Sequence, residues 1–255
     1  MRILYQFPLS HFCEKARWLL DHKELDYVAQ NVIPWVHRAM AKMKTGQNNF
    51  PILRDQERWV GDSTQIALYL DEQYPEHPLL RADRKLRAQA IEVNELANEL
   101  GVCVRRWGLA HMMQADNEDA LDIIIGEKGY LRKLEKISKP IIKSLVSSGY
   151  KVESEKVKLA KSQMDELVER FNQILVDNGG RYLVGDRLGL ADIAVCSMLA
   201  PLLEIRGTPW ERDVGHPIEE VFQEYQDNLL ALPLGQYIQR IYQNERNARV
   251  DWRGV

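Results

Sequence analysis

Up to Pro78 the chain changes its hydrophobic period every few residues; beyond it, strand-like alternation stops. Arg2 to Phe7 reads as a strand, Phe12 to His22 as a helix and Asp26 to Ile33 as a second strand. Short links between them predict a right-handed βαβ unit with the two strands parallel. Trp35 to Lys44 has weak helical spacing. Phe50 to Arg54 and Arg58 to Val60, separated by Asp55-Gln56-Glu57, predict a tight antiparallel hairpin. Asp62-Ser63 then caps a helix over Thr64 to Tyr74 that Pro75 and Pro78 stop. After that come helical patterns over 84–115, around 120–147 and over 155–177, the last broken by Gly179-Gly180. Leu190 to Ile205 is apolar nearly all round, the mark of a buried central helix, and two more helices follow near 217–231 and 233–248. The expected architecture is an α/β domain (βαβ then ββα) over 1–77, joined by a proline-containing linker to an all-helical domain over 84–255. No internal repeat is visible.

At 255 residues, 45 % apolar and 28 % charged, the chain can bury a core in one or two domains. A net charge of −3 gives no electrostatic footprint for nucleic acid or an anionic membrane. The densest basic stretch, Lys151 to Lys161, interleaves Glu153 and Glu155 and reads as a solvated helix face. Cys13, Cys103 and Cys196 are odd in number and far apart, and the six histidines are scattered, so no metal site is expected. Unpaired cysteines, no signal-peptide pattern and no bilayer-length apolar run predict a soluble protein of a reducing compartment, the cytoplasm.

Ser10-His11-Phe12-Cys13 sits where the first strand turns into the first helix. Free N–H groups and a partial positive charge at a helix start favour an anion such as a thiolate. Two sulfur sources are open. Either Cys13 supplies it, with a pKa lowered by the helix end, or a bound thiol supplies it and Ser10 donates a hydrogen bond to it. The plainer readings are Ser10 as an N-cap and Cys13 as a core residue; His11 is either a general base or a surface residue.

The layout resembles the glutathione transferase superfamily, a thioredoxin-like domain followed by a helical one. Four motifs in order carry the likeness: Ser10-His11-Phe12-Cys13-Glu14-Lys15-Ala16-Arg17; Phe50-Pro51-Ile52-Leu53; Gly61-Asp62-Ser63 with Ile66 to Leu70; and Tyr182-Leu183-Val184-Gly185-Asp186 leading into Leu190-Ala191-Asp192-Ile193-Ala194. Residues 108–150 are the least matched. The quartet is similar to the Cys-Pro-Phe/Tyr-Xaa of omega-class enzymes and glutaredoxins and to the Ser-Pro-Phe-Xaa of tau-class enzymes. His11 replaces the usual proline, and the first cysteine of a redox pair is absent.

The resemblance implies a glutathione site. Ser10 would stabilise the thiolate, with Cys13 at the resolving position of redox relatives. Phe50, before a cis Pro51, would pair with the cysteinyl backbone, Asp62-Ser63 would hold the γ-glutamyl end, and Phe12 and Asn49 would line the same site. The plainer reading of Pro51 is an edge-strand proline, and of Asp62 or Ser63 an N-cap. His11, Trp107 and His111 would line the pocket of an apolar electrophile, although a Trp at helical spacing equally suits a core. Asp192 resembles the aspartate of a buried capping box whose usual Ser or Thr is Gly189, and is read as structural. The implied enzyme is a cytoplasmic, homodimeric transferase of detoxification that conjugates glutathione to electrophiles. The alternatives are a glutathione-dependent thiol transferase or peroxidase using Cys13, and a non-catalytic binding protein of the same fold.

Overall fold

The computed structural model describes residues 1–32, 36–112, 155–211 and 219–255. The expected helix around 120–147 and the first residues of the one near 217 lie outside them. The chain divides into two compact units. The first holds residues 1–79 and 247–255, and the second holds the described parts of 80–112 and 155–246.

In the first unit, β1 (Arg2–Gln6), α1 (His11–His22), β2 (Val28–Asn31), α2 (Val36–Thr45), β3 (Ile52–Asp55), β4 (Arg58–Gly61) and α3 (Ser63–Gln73) follow the order expected from the sequence. The four strands form one sheet in the order β2-β1-β3-β4, with β1 parallel to β2 and antiparallel to β3. The β3–β4 hairpin turns at Gln56-Glu57, where Gln56 adopts φ 54°. Leu4 and Leu53, paired across β1 and β3, are buried along with Ile52, Trp18, Leu19, Ile66 and Leu70. This is a thioredoxin-like sheet with helices packed on it.

In the second unit, α4 (Arg84–Met112) buries Ala90, Val93, Ala97, Leu100, Val104 and Trp107, and α5 (Glu155–Asp177) buries Val157, Ala160, Met164, Val168, Phe171 and Leu175. Both stripes recur every three or four residues, as an amphipathic helix requires. Gly179 and Gly180, at φ 80° and 77°, end α5, and the Gly180 N–H returns to the Leu175 carbonyl at 2.8 Å. The central α6 (Leu190–Leu199) is buried at every position. It stops short of the expected Ile205, because Pro201 has no N–H to continue an α-helix, and residues 200–202 form a tighter 3₁₀ turn. Then come α7 (Glu220–Ala231) and α8 (Pro233–Glu245). Among the described residues no helix is long and apolar enough to cross a membrane.

Asp192 is structural, as expected. Its carboxylate accepts the Gly189 N–H at 2.9 Å, the Leu183 N–H at 2.8 Å and the Tyr237 hydroxyl at 2.5 Å. Gly189 offers no side chain in return, so only the aspartate half of the capping box exists. Complete burial pushes the Asp192 carboxyl up to about 6, even though the three donors work in the opposite direction.

Candidate active site

The sheet register gathers the sequence motifs of the first unit. Tyr5 of β1 faces Ile52 of β3, and Ile52 faces Gly61 of β4. Because β3 runs antiparallel to both neighbours, the segments leaving β1, entering β3 and leaving β4 lie at one end of the sheet. They are Phe7 to Ser10, Phe50-Pro51 and Asp62-Ser63. The Phe7 and Phe50 rings lie 5.5 Å apart, and the Asp62 N–H donates to the Pro51 carbonyl at 3.1 Å. The Phe50–Pro51 peptide is cis. The N-termini of α1 and α3 are at this end too, and both favour negative charge.

Ser10 is the N-cap of α1, with φ −86° and ψ 118°. Its Oγ accepts the Cys13 N–H at 3.3 Å, and its own N–H donates to the Phe7 carbonyl at 3.1 Å. The side chain is half-buried. Cys13 is 0 % exposed and packs with Val32, Ala41, Phe50 and Ile52. Its Sγ accepts the Phe7 N–H at 3.4 Å. Burial raises the pKa of this thiol, outweighing the Phe7 N–H, the Ser10 hydroxyl and the Arg17 charge, which act the other way. A helix start lowers a thiol pKa when the sulfur faces it from solvent; here the sulfur faces the core instead.

His11 is buried with its ring 4.7 Å from that of Phe12, which is half-buried, and Asn49 is exposed. Asp62 caps α3, its Oδ1 accepting the Thr64 N–H at 2.8 Å and the Gln65 N–H at 3.3 Å. It does so at φ 70° and ψ 135°, a conformation that costs a residue with a Cβ about 1–3 kcal/mol. Ser63 is buried, and its hydroxyl has no hydrogen-bond partner among the described residues. An unmade buried bond costs about 1–3 kcal/mol, which a ligand group at this helix start would offset.

Sequence reasoning missed the residues that brace this end. Lys15 donates to Thr64 Oγ1 at 3.3 Å, joining α1 to the start of α3. Arg17, also buried, pairs with Glu14 at 2.8 Å and reaches Gln6. The available signal was a Glu, a Lys and an Arg beside the apolar run of this helix.

Trp107 and His111 belong to the second unit, where both are buried. Trp107 stacks on Phe222 at 5.5 Å and lies 5.0 Å from Tyr225 and 4.5 Å from His111. His111 Nδ1 meets Glu219 Oε2 at 2.8 Å, a partner the sequence did not suggest. Among the described residues no cluster of side chains could hold a metal ion.

The family model for the glutathione S-transferase N-terminal domain matches residues 4–78, and that for the C-terminal domain matches residues 135–233. The chain belongs to the glutathione S-transferase superfamily. Membership makes it a transferase with a glutathione transferase-like function. It is 26 % identical to glutathione S-transferase 1 of Dianthus caryophyllus over 74 % of this chain and 72 % of that protein. It is 27 % identical to a zeta-class enzyme of Euphorbia esula, over 74 % and 71 %. Among solved structures, the beta-etherase LigF from Sphingobium superposes with TM-score 0.66 at 21 % identity, covering 96 % of both chains. A Methylobacterium radiotolerans glutathione S-transferase, in complex with glutathione sulfonate, gives 0.61 at 18 % identity, covering 98 % of this chain and 94 % of that one. These superpositions show that this transferase has the family fold.

Proposed function

We propose that this transferase binds glutathione at the end of the sheet where Ser10, Phe50-Pro51 and Asp62-Ser63 meet, and conjugates its thiolate to an apolar electrophile. Convergence of those three segments through the strand register carries the reading. Ser10 donates a hydrogen bond to the glutathione sulfur, and the α1 N-terminus favours the thiolate over the thiol, whose proton passes to solvent. The thiolate attacks an electrophilic carbon, forming a C–S bond as the leaving group departs with its electron pair. The Phe50–Pro51 segment pairs with the cysteinyl backbone, with Phe12 and Asn49 beside it. Asp62 attracts the γ-glutamyl ammonium, while Ser63 and the α3 N-terminus take its carboxylate. Residues 1–77 carry the proposed glutathione site, and 84–255 form the helical domain, in which Trp107 and His111 are buried. His11 lies next in sequence to Ser10 and contributes shape.

Cys13 is a core residue in this scheme, and its burial and raised pKa support that reading over the glutathione-dependent thiol transferase and peroxidase alternatives. Proteins of the same fold solved with glutathione or glutathione sulfonate bound support the co-substrate. The three cysteines are all free and buried, which suits a reducing cytoplasm, where a homodimer would remove toxic electrophiles. Retention on glutathione resin, followed by turnover of a chlorinated nitroarene, tests the proposal. Binding is expected, with turnover that Ser10→Ala abolishes and Cys13→Ser keeps. A folded protein that does not bind is a scaffold instead.

A further inference from the structure

After α8 the chain returns to the sheet of the first unit. The Asn31 N–H donates to the Val255 carbonyl at 2.8 Å and the Val255 N–H donates to the Ala29 carbonyl at 2.9 Å, so Val255 bonds to both neighbours of Gln30, a parallel pairing on the outer side of β2. Side chains of the sheet hold the carbonyls of the tail. Gln6 Nε2 donates to Trp252 at 2.9 Å, Asn31 Nδ2 to Arg253 at 2.6 Å and Gln30 Nε2 to Val255 at 2.9 Å. Arg249 pairs with Asp26 at 2.9 Å. Gly254 sits at φ 61°, and a Cβ there would lie 2.7 Å from the Ala29 carbonyl and 2.9 Å from both Asn31 Oδ1 and Gln6 Nε2. Glycine is what lets this backbone come so close.

Gln6 faces two ways. Its Nε2 spends both donors, one on Trp252 and the other on Asn31 Oδ1 at 3.1 Å, while its Oε1 accepts from Arg17 Nη1. The amide cannot flip without turning its NH₂ against a guanidinium. Arg17 in turn reaches the Pro8 carbonyl at 3.4 Å and Glu14 Oε2 at 2.8 Å. Pro8 lies two residues before Ser10, and the Glu14 N–H donates to the Ser10 carbonyl at 2.9 Å. An unbroken chain of hydrogen bonds therefore runs from the tail, through Gln6 and Arg17, to both sides of the turn that carries Ser10, all within one compact unit.

We infer that the tail, residues 247–255, is a strap that fixes the Ser10 turn, and that Gln6 and Arg17 are the positioning residues that transmit it. The inference rests on Ser10 as the residue that polarises the thiol. A hydroxyl serves a thiolate only within hydrogen-bond range, and misplacement by about 1 Å costs on the order of a hundredfold in rate. Detaching the tail strands one buried donor of Gln6, which loosens the grip on Arg17 and then on the turn.

The test uses the full chain, with Gly254→Val, Gln6→Leu and Ser10→Ala compared against the parent below their melting temperatures. Two quantities are read: the pKa of bound glutathione, from thiolate absorbance in the ultraviolet, and the pH profile of kcat/KM with a chlorinated nitroarene. Gly254→Val and Gln6→Leu are expected to raise the thiol pKa by about one unit, and so to lower kcat/KM at neutral pH about tenfold. The KM for glutathione should change less than about twofold, because the γ-glutamyl contacts are untouched. Gly254→Val alters only the tail, so it decides the matter if the buried Gln6 variant fails to fold. Tail variants with the parent's thiol pKa and profile, beside an inactive Ser10→Ala, overturn the strap alone. An active Ser10→Ala with the parent's thiol pKa overturns the Ser10 reading and the strap with it.

Discussion

The Oγ of Ser10 accepts the backbone N–H of Cys13 at 3.3 Å, so the residue proposed to polarise the glutathione sulfur also begins the helix that buries the chain's own sulfur. Ser10→Ala removes both functions. Loss of the cap should cost about 1 kcal/mol of stability, and loss of the donor about a hundredfold or more in kcat. Thermal melts and steady-state conjugation rates measure the two separately.

Cys13→Ala should keep kcat within about threefold and lower stability by about 1–2 kcal/mol, because it removes a buried sulfur and the hydrogen bond that sulfur accepts from the Phe7 N–H. All three cysteines are buried, and burial raises the pKa of each. In the folded protein a thiol reagent at neutral pH should therefore label them only as fast as the chain opens. Rapid labelling of Cys13, followed by a mixed disulfide with glutathione, would favour the redox alternative.

Asp62 holds φ 70° while capping α3. Asp62→Gly relieves the strain but removes the cap and the carboxylate, two effects that partly cancel in stability. Glutathione affinity should fall at least about tenfold with a melting temperature within a few degrees of the parent, as isothermal titration and a melt would record. Ser63→Ala should weaken glutathione binding and leave stability unchanged or slightly raised, since the hydroxyl it removes has no hydrogen-bond partner among the described residues.

Asp192 titrates near 6 in the folded protein against an ordinary 3.8. With the folded value raised, its contribution to stability is complete below about pH 3.8 and is lost as pH rises through about 6. Asp192→Asn deletes that titration. The unfolding free energy of the parent relative to the variant should therefore decline between these pH values, by up to about 3 kcal/mol. Urea titrations at several pH values measure it; a difference that grows with pH would mean that Asp192 is ionised more readily in the fold than in the unfolded chain.

His111 and Glu219 meet at 2.8 Å, joining α4 to the residue before α7. A double-mutant cycle of His111→Ala and Glu219→Gln should give a coupling of about 1 kcal/mol. Additive effects would reduce His111 to a packing partner of Trp107.

The order of the elements was legible because the hydrophobic period switches from two to about 3.6 residues along the chain, and Pro75, Pro78 and Gly179-Gly180 punctuate it. Ser10, Pro51 and Asp62 were legible because helix starts and strand entries favour particular residue types. The early end of α6 was missed: an apolar run masks the local effect of Pro201. The partners of Gln6 were not legible either. Trp252 lies far along the chain, and no periodicity links a strand residue to a distant tail carbonyl.

By itself the sequence determined which segments become strands and helices, and that a helix starting at Ser10 suits an anion, because propensity, capping and helix dipoles are local. Only the tertiary structure decided which way the sulfur of Cys13 points. Rotation about α1 is set by packing against Phe50, Ile52 and Val32, and that packing turns the thiol into the core while Ser10 stays half-buried at the helix start. It also brought three distant motifs to one end of the sheet and closed the outer strand with the tail, since register and pairing depend on residues that local rules cannot see.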